Sequence, residues 1–261
     1  MIASLGMYDF GAAVGANDRL WAAIRDRLHA AGHPAPQALT RGDGAYWPAW
    51  QDPGLVLSQT CGYPYRARLH GRVTLVATPD PALPGCPPGH YHSVIVARAD
   101  DPRGLAELAQ ARMAFNEDMS QSGWAAPVVH LLNRGLAPRP TLRSGGHRRS
   151  AHAVAEGRAD WAALDAVTWA MMQAQDPAAP ALRVVEATAP TPPLLYIAAQ
   201  GADRAAIQAA LRAAVAELSP ADRDTLCLHG LVEIPATAYL AVPTPPPPAQ
   251  FGLEIDQIDV G

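Results

Sequence analysis

Short apolar runs alternate with helical stripes along this chain, and the alternation begins twice. Ile2 to Leu5 reads as a first strand. A helix follows, with Asn17 placed to cap it, Leu20, Trp21, Ile24 and Leu28 on one apolar face, and Gly32 and Pro34 to end it. Leu55-Val56-Leu57 and Val73 to Thr78 read as further strands, and the proline-rich passage from Pro79 to Pro88 as a surface excursion. At Tyr91 to Arg98 a new apolar strand opens, and the strand–helix pattern resumes. Strands separated by helices build α/β layers with a mostly parallel sheet, and a pattern that restarts implies two lobes.

The second run begins with a short helix opened by Asp101-Pro102 and the strand Ala114-Phe115. That strand feeds the polar loop Asn116-Glu117-Asp118-Met119-Ser120-Gln121-Ser122 and a helix expected over Gly123 to Leu132. Pro127 requires that helix to kink or to start late, because proline has no N–H for the ladder. Ser144-Gly145-Gly146-His147 opens another helix, ended by Gly157. Trp161 to Leu164 is a strand ending at Asp165, followed by a helix over Val167 to Gln173. After Leu182 to Glu186, the prolines at 190, 192 and 193 stiffen a return crossing to Leu194-Leu195-Tyr196-Ile197. A helix capped by Asp203 buries Ile207, Leu211, Val215 and Leu218, and a shorter one covers Asp222 to Leu228. Pro243 to Pro248 and the acidic end are expected to form a disordered or loosely attached tail. The expected division is lobe one from 1–91 and 192–261 and lobe two from 92–191, joined by two crossings.

Composition removes several kinds of chemistry. All 20 basic residues are arginines, so Schiff-base enzymes and P-loop NTPases, which need an ε-amine, are excluded. A net charge of −4 gives no general attraction to nucleic acid. Cys61, Cys86 and Cys227 lack metal-binding spacing, and no HExxH or facial-triad pattern joins the histidines, so neither metal nor cofactor is expected. No apolar stretch is long enough for membrane insertion. Ile2 to Gly6 carries no basic leader signal. The sequence as it stands is therefore expected in the cytoplasm, or in the periplasm if a leader has been removed.

Polar groups gather where strands end, the position of ligand crevices in open α/β sheets. Tyr8 follows the first strand, and Ser58 to Tyr65, including Gln59, Cys61 and Tyr63, reads as the loop leaving the second. Ser120, Gln121 and Ser122 precede a helix, His147 starts another, and Asp165 ends a strand. Each has a plain structural reading: a serine or aspartate before a helix is commonly an N-cap, and a buried cysteine is commonly inert. Together they suit an anion at a helix start, where N–H groups lack acceptors within the helix. An acidic residue in such a place accepts from a protonated oxygen or an amine, which admits zwitterions.

On Ser120-Gln121-Ser122-Gly123, Ser144-Gly145-Gly146-His147 and, loosely, Cys61-Gly62-Tyr63-Pro64-Tyr65, the chain resembles the phosphonate-binding, PhnD-like branch of the type II periplasmic substrate-binding proteins that serve ABC importers. The likeness in order and spacing runs over roughly residues 1 to 218. Gln121 stands where the family pattern has threonine. The resemblance implies a two-lobed type II fold, an ABC permease as partner, and oxyanion contacts from Ser120, Ser122, His147 and the backbone at Gln121 and Ser122, with Tyr63 added. Tyr8, Gln59, Cys61 and Asp165 are candidates from strand-end position alone. The expected function is a solute-binding protein that closes at the inter-lobe cleft around phosphate, a phosphonate or an aminophosphonate. The alternatives are a cytoplasmic enzyme or ligand sensor using Cys61 and His147, and a scaffold in which these loops only cap helices.

Overall fold

The computed structural model describes residues 1–252 and 254–258. Its strands are β1 (Ile2–Ser4), β2 (Leu55–Thr60), β3 (Val73–Asp80), β4 (Ser93–Arg98), β5 (Arg112–Phe115), β6 (Arg139–Arg143), β7 (Trp161–Asp165), β8 (Leu182–Ala187), β9 (Leu195–Ala199), β10 (Gly230–Val232) and β11 (Asp256–Gln257). The chain divides into two compact units, one from Met1–His90 and Pro192–Ala241, the other from Tyr91–Thr191 and the residues from Val242 onward.

The first unit carries a five-stranded sheet in the order β1-β2-β9-β3-β10. Only β1 and β2 run parallel; β9 enters antiparallel between β2 and β3, and β10 adds antiparallel to β3. This sheet is therefore mixed and not mostly parallel, because the returning segment is inserted between two early strands. The helix Ala13–Ala30 buries Leu20, Trp21, Ile24 and Leu28 as its stripe requires, and ends before Gly32 at φ +81°. Asn17 does not cap it. It lies a turn inside, where its Nδ2 donates to the Tyr8 carbonyl and to Asp9 Oδ1, each at 3.1 Å. Asp203 does cap its helix, Arg204–Ala216, accepting the Ala206 N–H at 3.0 Å. Leu218 falls outside that helix. A core of Trp50, Leu55, Tyr65, Leu69, Leu195, Ile197 and Tyr239 closes the unit, and Tyr239 shares a buried 2.7 Å hydrogen bond with Thr78.

The second unit has a six-stranded sheet, β11-β6-β5-β7-β4-β8, in which β11, β6, β5 and β7 are successively parallel and β4 pairs antiparallel with both β7 and β8. Met113 to Phe115 and Trp161 to Leu164 are buried on both faces, as the apolar runs require. The described residues of the C-terminal tail correct the expectation: they belong to this unit instead of the first and are tied to it, while residues 253 and 259–261 lie outside the described residues. Trp124 Nε1 donates to the Pro246 carbonyl at 3.1 Å, Phe251 packs edge-on to Trp124 at 5.7 Å, and β11 pairs with β6. Aromatic burial and a strand partner outweigh what the prolines suggested. The chain thus passes between units at 241/242 as well as at 90/91 and 191/192.

Candidate functional site

In the second unit β5, β6 and β7 are parallel neighbours, so the segments after Phe115, Arg143 and Leu164 leave the same edge of the sheet. Two backbone hydrogen bonds stitch the first two together, Ser144 N–H to the Phe115 carbonyl at 2.8 Å and Gly145 N–H to the Asn116 carbonyl at 3.0 Å. Ser144 Oγ meets Ser150 Oγ at 2.6 Å and so fixes the start of the helix His147–Ala155.

Ser120 is extended (φ −71°, ψ 130°), and its Oγ accepts the Gly123 N–H at 2.9 Å as an N-cap. The turn that follows, Gln121–Ala125, is a π-helical turn in which the Ala125 N–H reaches the Ser120 carbonyl at 2.9 Å. The α-helix proper is Ala126–Leu132, with Pro127 in its first turn. The wide turn answers the difficulty posed by Pro127, since the regular ladder begins only where a missing N–H costs nothing. An ordinary surface cap faces water, yet Ser120, Gln121 and Ser122 are each no more than 3% exposed.

Ser122 Oγ lies 2.7 Å from His147 Nε2. The residue His147 is half-buried and its Nδ1 is wholly enclosed, without a hydrogen bond of ordinary geometry. Burial pushes the imidazole down to about 4, opposed in part by the Ala163 carbonyl, so the ring is neutral at pH 7. Gly123 is required for space and not for its φ. A β-carbon there would stand 1.8 Å from Asn116 Oδ1 and 3.1 Å from His147 Cε1. Asn116 Oδ1 is itself buried with no hydrogen-bond partner. Asn116 and Gly123 were not among the expected site residues; their position just beyond a strand and just after the serines was the available signal.

The structure brings Ser120, Gln121, Ser122 and His147 together. Asp165 is in the same unit but is engaged as the N-cap of the helix Ala166–Gln175, its Oδ1 accepting the N–H groups of Val167 and Thr168 at 2.7 and 3.0 Å. Cys61 lies in the first unit, and the observed side-chain partner of His147 is Ser122.

The first unit has a polar pole of its own. β1 and β2 are parallel, so Tyr8 and the segment after Thr60 leave the same edge. Ser58, Gln59 and Thr60 are strand and not loop, because Gln59 and Thr60 pair with Tyr196 and Leu195 of β9. Gln59, Thr60, Cys61 and Tyr63 are all buried. Gln59 Oε1 and Thr60 Oγ1 have no hydrogen-bond partner. Burial pushes the Tyr196 phenol up to about 12, a shift that its hydrogen bond with Gln59 opposes. The Arg66 guanidinium sits 4.4 Å over the Tyr63 ring. Tyr8 is half-buried in the turn Gly6–Tyr8. Among the described residues no group of three His, Cys, Asp or Glu side chains is placed to hold a metal, and no helix is long and apolar enough to cross a membrane.

Solved structures share this architecture. PhnD1 from Prochlorococcus marinus, in complex with methylphosphonate, matches with a TM-score of 0.70 at 16% identity over 91% of this chain and 94% of that one. XAC2383 from Xanthomonas citri, bound to ATP, matches with a TM-score of 0.67 at 19% identity over 91% and 92%. A binding-protein component of an ABC phosphonate transporter from Pseudomonas aeruginosa matches with a TM-score of 0.64 at 15% identity over 88% and 80%. At such identities the likeness establishes the fold, which is that of the type II periplasmic binding proteins. The family model for the phosphonate periplasmic substrate-binding proteins of ABC transporters matches residues 57–236, and the chain belongs to that family. It is a solute-binding protein. No curated protein sequence matches it.

Proposed function

We propose that the solute is a small oxyanion, a phosphate, phosphonate or aminophosphonate, and that Ser120, Gln121, Ser122 and His147 hold its charged oxygens. The observation that carries this reading is the 2.7 Å contact between Ser122 Oγ and a neutral His147 Nε2 at a buried helix start. The contact fixes the Ser122 side chain at the helix start where the anion is proposed to bind. The helix start adds N–H groups and a positive dipole end. Asn116 Oδ1, buried without a partner, suits a protonated ligand oxygen or an amine. Methylphosphonate in PhnD1 and ATP in XAC2383 both carry such oxyanions, which supports the same chemistry here.

From the first unit the proposal extends to Tyr8, Gln59, Cys61 and Tyr63, on the strength of the unspent polar atoms at the end of β2. Asp165, engaged as an N-cap, is proposed as a further contact by its place at the end of β7. Family membership supports an ABC permease as partner and the periplasm as the working compartment. Titration calorimetry with phosphate, methylphosphonate and 2-aminoethylphosphonate tests the reading. We expect one of them to bind and Ser122→Ala to weaken it about tenfold, the worth of one charge-assisted hydrogen bond. Absence of binding by all three at millimolar concentration would refute it.

A further inference from the structure

At the end of the first unit's sheet where β2 begins lies an open groove of about 950 Å³, lined by Trp47, Trp50, Asp52, Arg66, Arg68 and Arg72 among others. It meets the polar pole at Arg66, whose guanidinium sits over the Tyr63 ring. β2 starts beside the groove at Leu55 and delivers Cys61 at its other end, roughly 20 Å away at about 3.3 Å per residue.

Many arginines of this molecule face carboxylates, as Arg41 faces Asp9, Arg103 faces Asp101, Arg112 faces Asp160 and Arg143 faces Asp118, and others, such as Arg183, Arg204 and Arg223, donate to backbone carbonyls. Arg68 and Arg72 are exposed and make no ion pair with any described residue. Arg68 instead lies 5.5 Å over the Trp47 ring, a stacking that leaves the edge of the guanidinium available. Asp52, the acid in the lining, already accepts the Gly54 N–H at 2.6 Å. A chain of net charge −4 thus keeps a tryptophan-lined groove in which Arg68 and Arg72 form no ion pair with a described residue, with Asp52 as a carboxylate in the lining.

We propose that this groove docks an acidic segment of a partner protein, with carboxylates on Arg68 and Arg72 and an apolar side chain against Trp47. Arginine forks set apart on a loop match carboxylates spaced along a peptide. Tryptophan and arginine are the residues that anchor protein interfaces.

The probe is a short synthetic peptide of glutamates interrupted by leucines, titrated into the full chain, with its lysine counterpart as control and ATP as the free-polyanion arm. We expect the glutamate peptide to bind, the lysine peptide not to bind, and R68E/R72E to weaken binding about tenfold or more. Raising salt from roughly 0.05 to 0.5 M should weaken it as well. R68Q/R72Q serves as the milder pair should the charge reversal disturb folding, which a thermal melt reports. Both variants should keep the oxyanion response of the parent, so failure of this proposal and failure of the ligand assignment are distinguishable. Equal binding by parent and variants, no binding by the parent, or ATP binding that R68E/R72E abolishes while the peptide fails to bind would overturn it.

Discussion

The strand-end poles of the two units are built on different terms. In the second unit the serine hydroxyls are bonded, Ser120 Oγ to the Gly123 amide, Ser122 Oγ to His147, and Ser144 Oγ to Ser150, while Asn116 Oδ1 is buried without a partner. In the first, Gln59 Oε1 and Thr60 Oγ1 are buried and unmatched beside large rings. A pole whose donors are held in place by neighbours is preorganised for a fixed guest, whereas one with unmatched groups keeps hydrogen-bonding capacity at a cost to folding. The same burial therefore has opposite consequences, and each can be measured.

The largest expected effect is on pH dependence. His147 is held at about 4, below the ordinary 6.5. Between those values the unfolded chain binds a proton that the folded chain refuses. Its contribution is complete above about pH 6.5 and is lost as pH falls toward 4, on the order of 3 kcal/mol. Asp101, held at about 2 by Arg103, titrates below that window. Urea unfolding at pH 7.5 and 4.5 should show the parent losing more stability than His147→Gln. Equal losses would mean that the imidazole is not sheltered.

Gly123→Ala comes next. The added methyl displaces the Asn116 amide and crowds His147 without removing any polar group. Overpacking of this kind costs about 2 kcal/mol. We expect that loss in denaturant titration, together with weaker oxyanion binding than Ser122→Ala gives. A variant that binds as the parent does would show that Asn116 can move aside freely and that the turn is less fixed than its hydrogen bonds imply.

Much of this was legible in the sequence. The restarting alternation gave two α/β units, and Ser120-Gln121-Ser122-Gly123 with Ser144-Gly145-Gly146-His147 marked the segments that meet, since a strand end and a helix start are local features. Other features depend on tertiary partners. Asn17 looks like a cap but is drawn inward by the Tyr8 carbonyl and Asp9, and Ser58 to Thr60 look like loop until β9 supplies their ladder. The tail reads as disordered from its prolines, and only the Trp124 side chain with β6 makes it structured. The π-turn could be suspected from Pro127 but not specified. The clash that reserves Gly123 depends on Asn116, a residue whose side chain no periodicity orients.

The smallest effect probes the first unit. Thr60 is fully buried in β2 and its hydroxyl has no partner, so Thr60→Val exchanges an unmatched polar group for a methyl of nearly the same shape. Removing a buried group that makes no hydrogen bond is neutral or stabilising, and a gain of up to about 1 kcal/mol is expected. Valine also suits a central strand at least as well as threonine. The equivalent loss of a hydroxyl at Ser120 removes a bonded cap and should destabilise by about 1 kcal/mol. Opposite signs for the two substitutions in denaturant titration would establish that the Ser120 hydroxyl is paired and the Thr60 hydroxyl unspent. A destabilising Thr60→Val would mean that its hydroxyl has a partner in solution, and the contrast between the two units would then reduce to residue type.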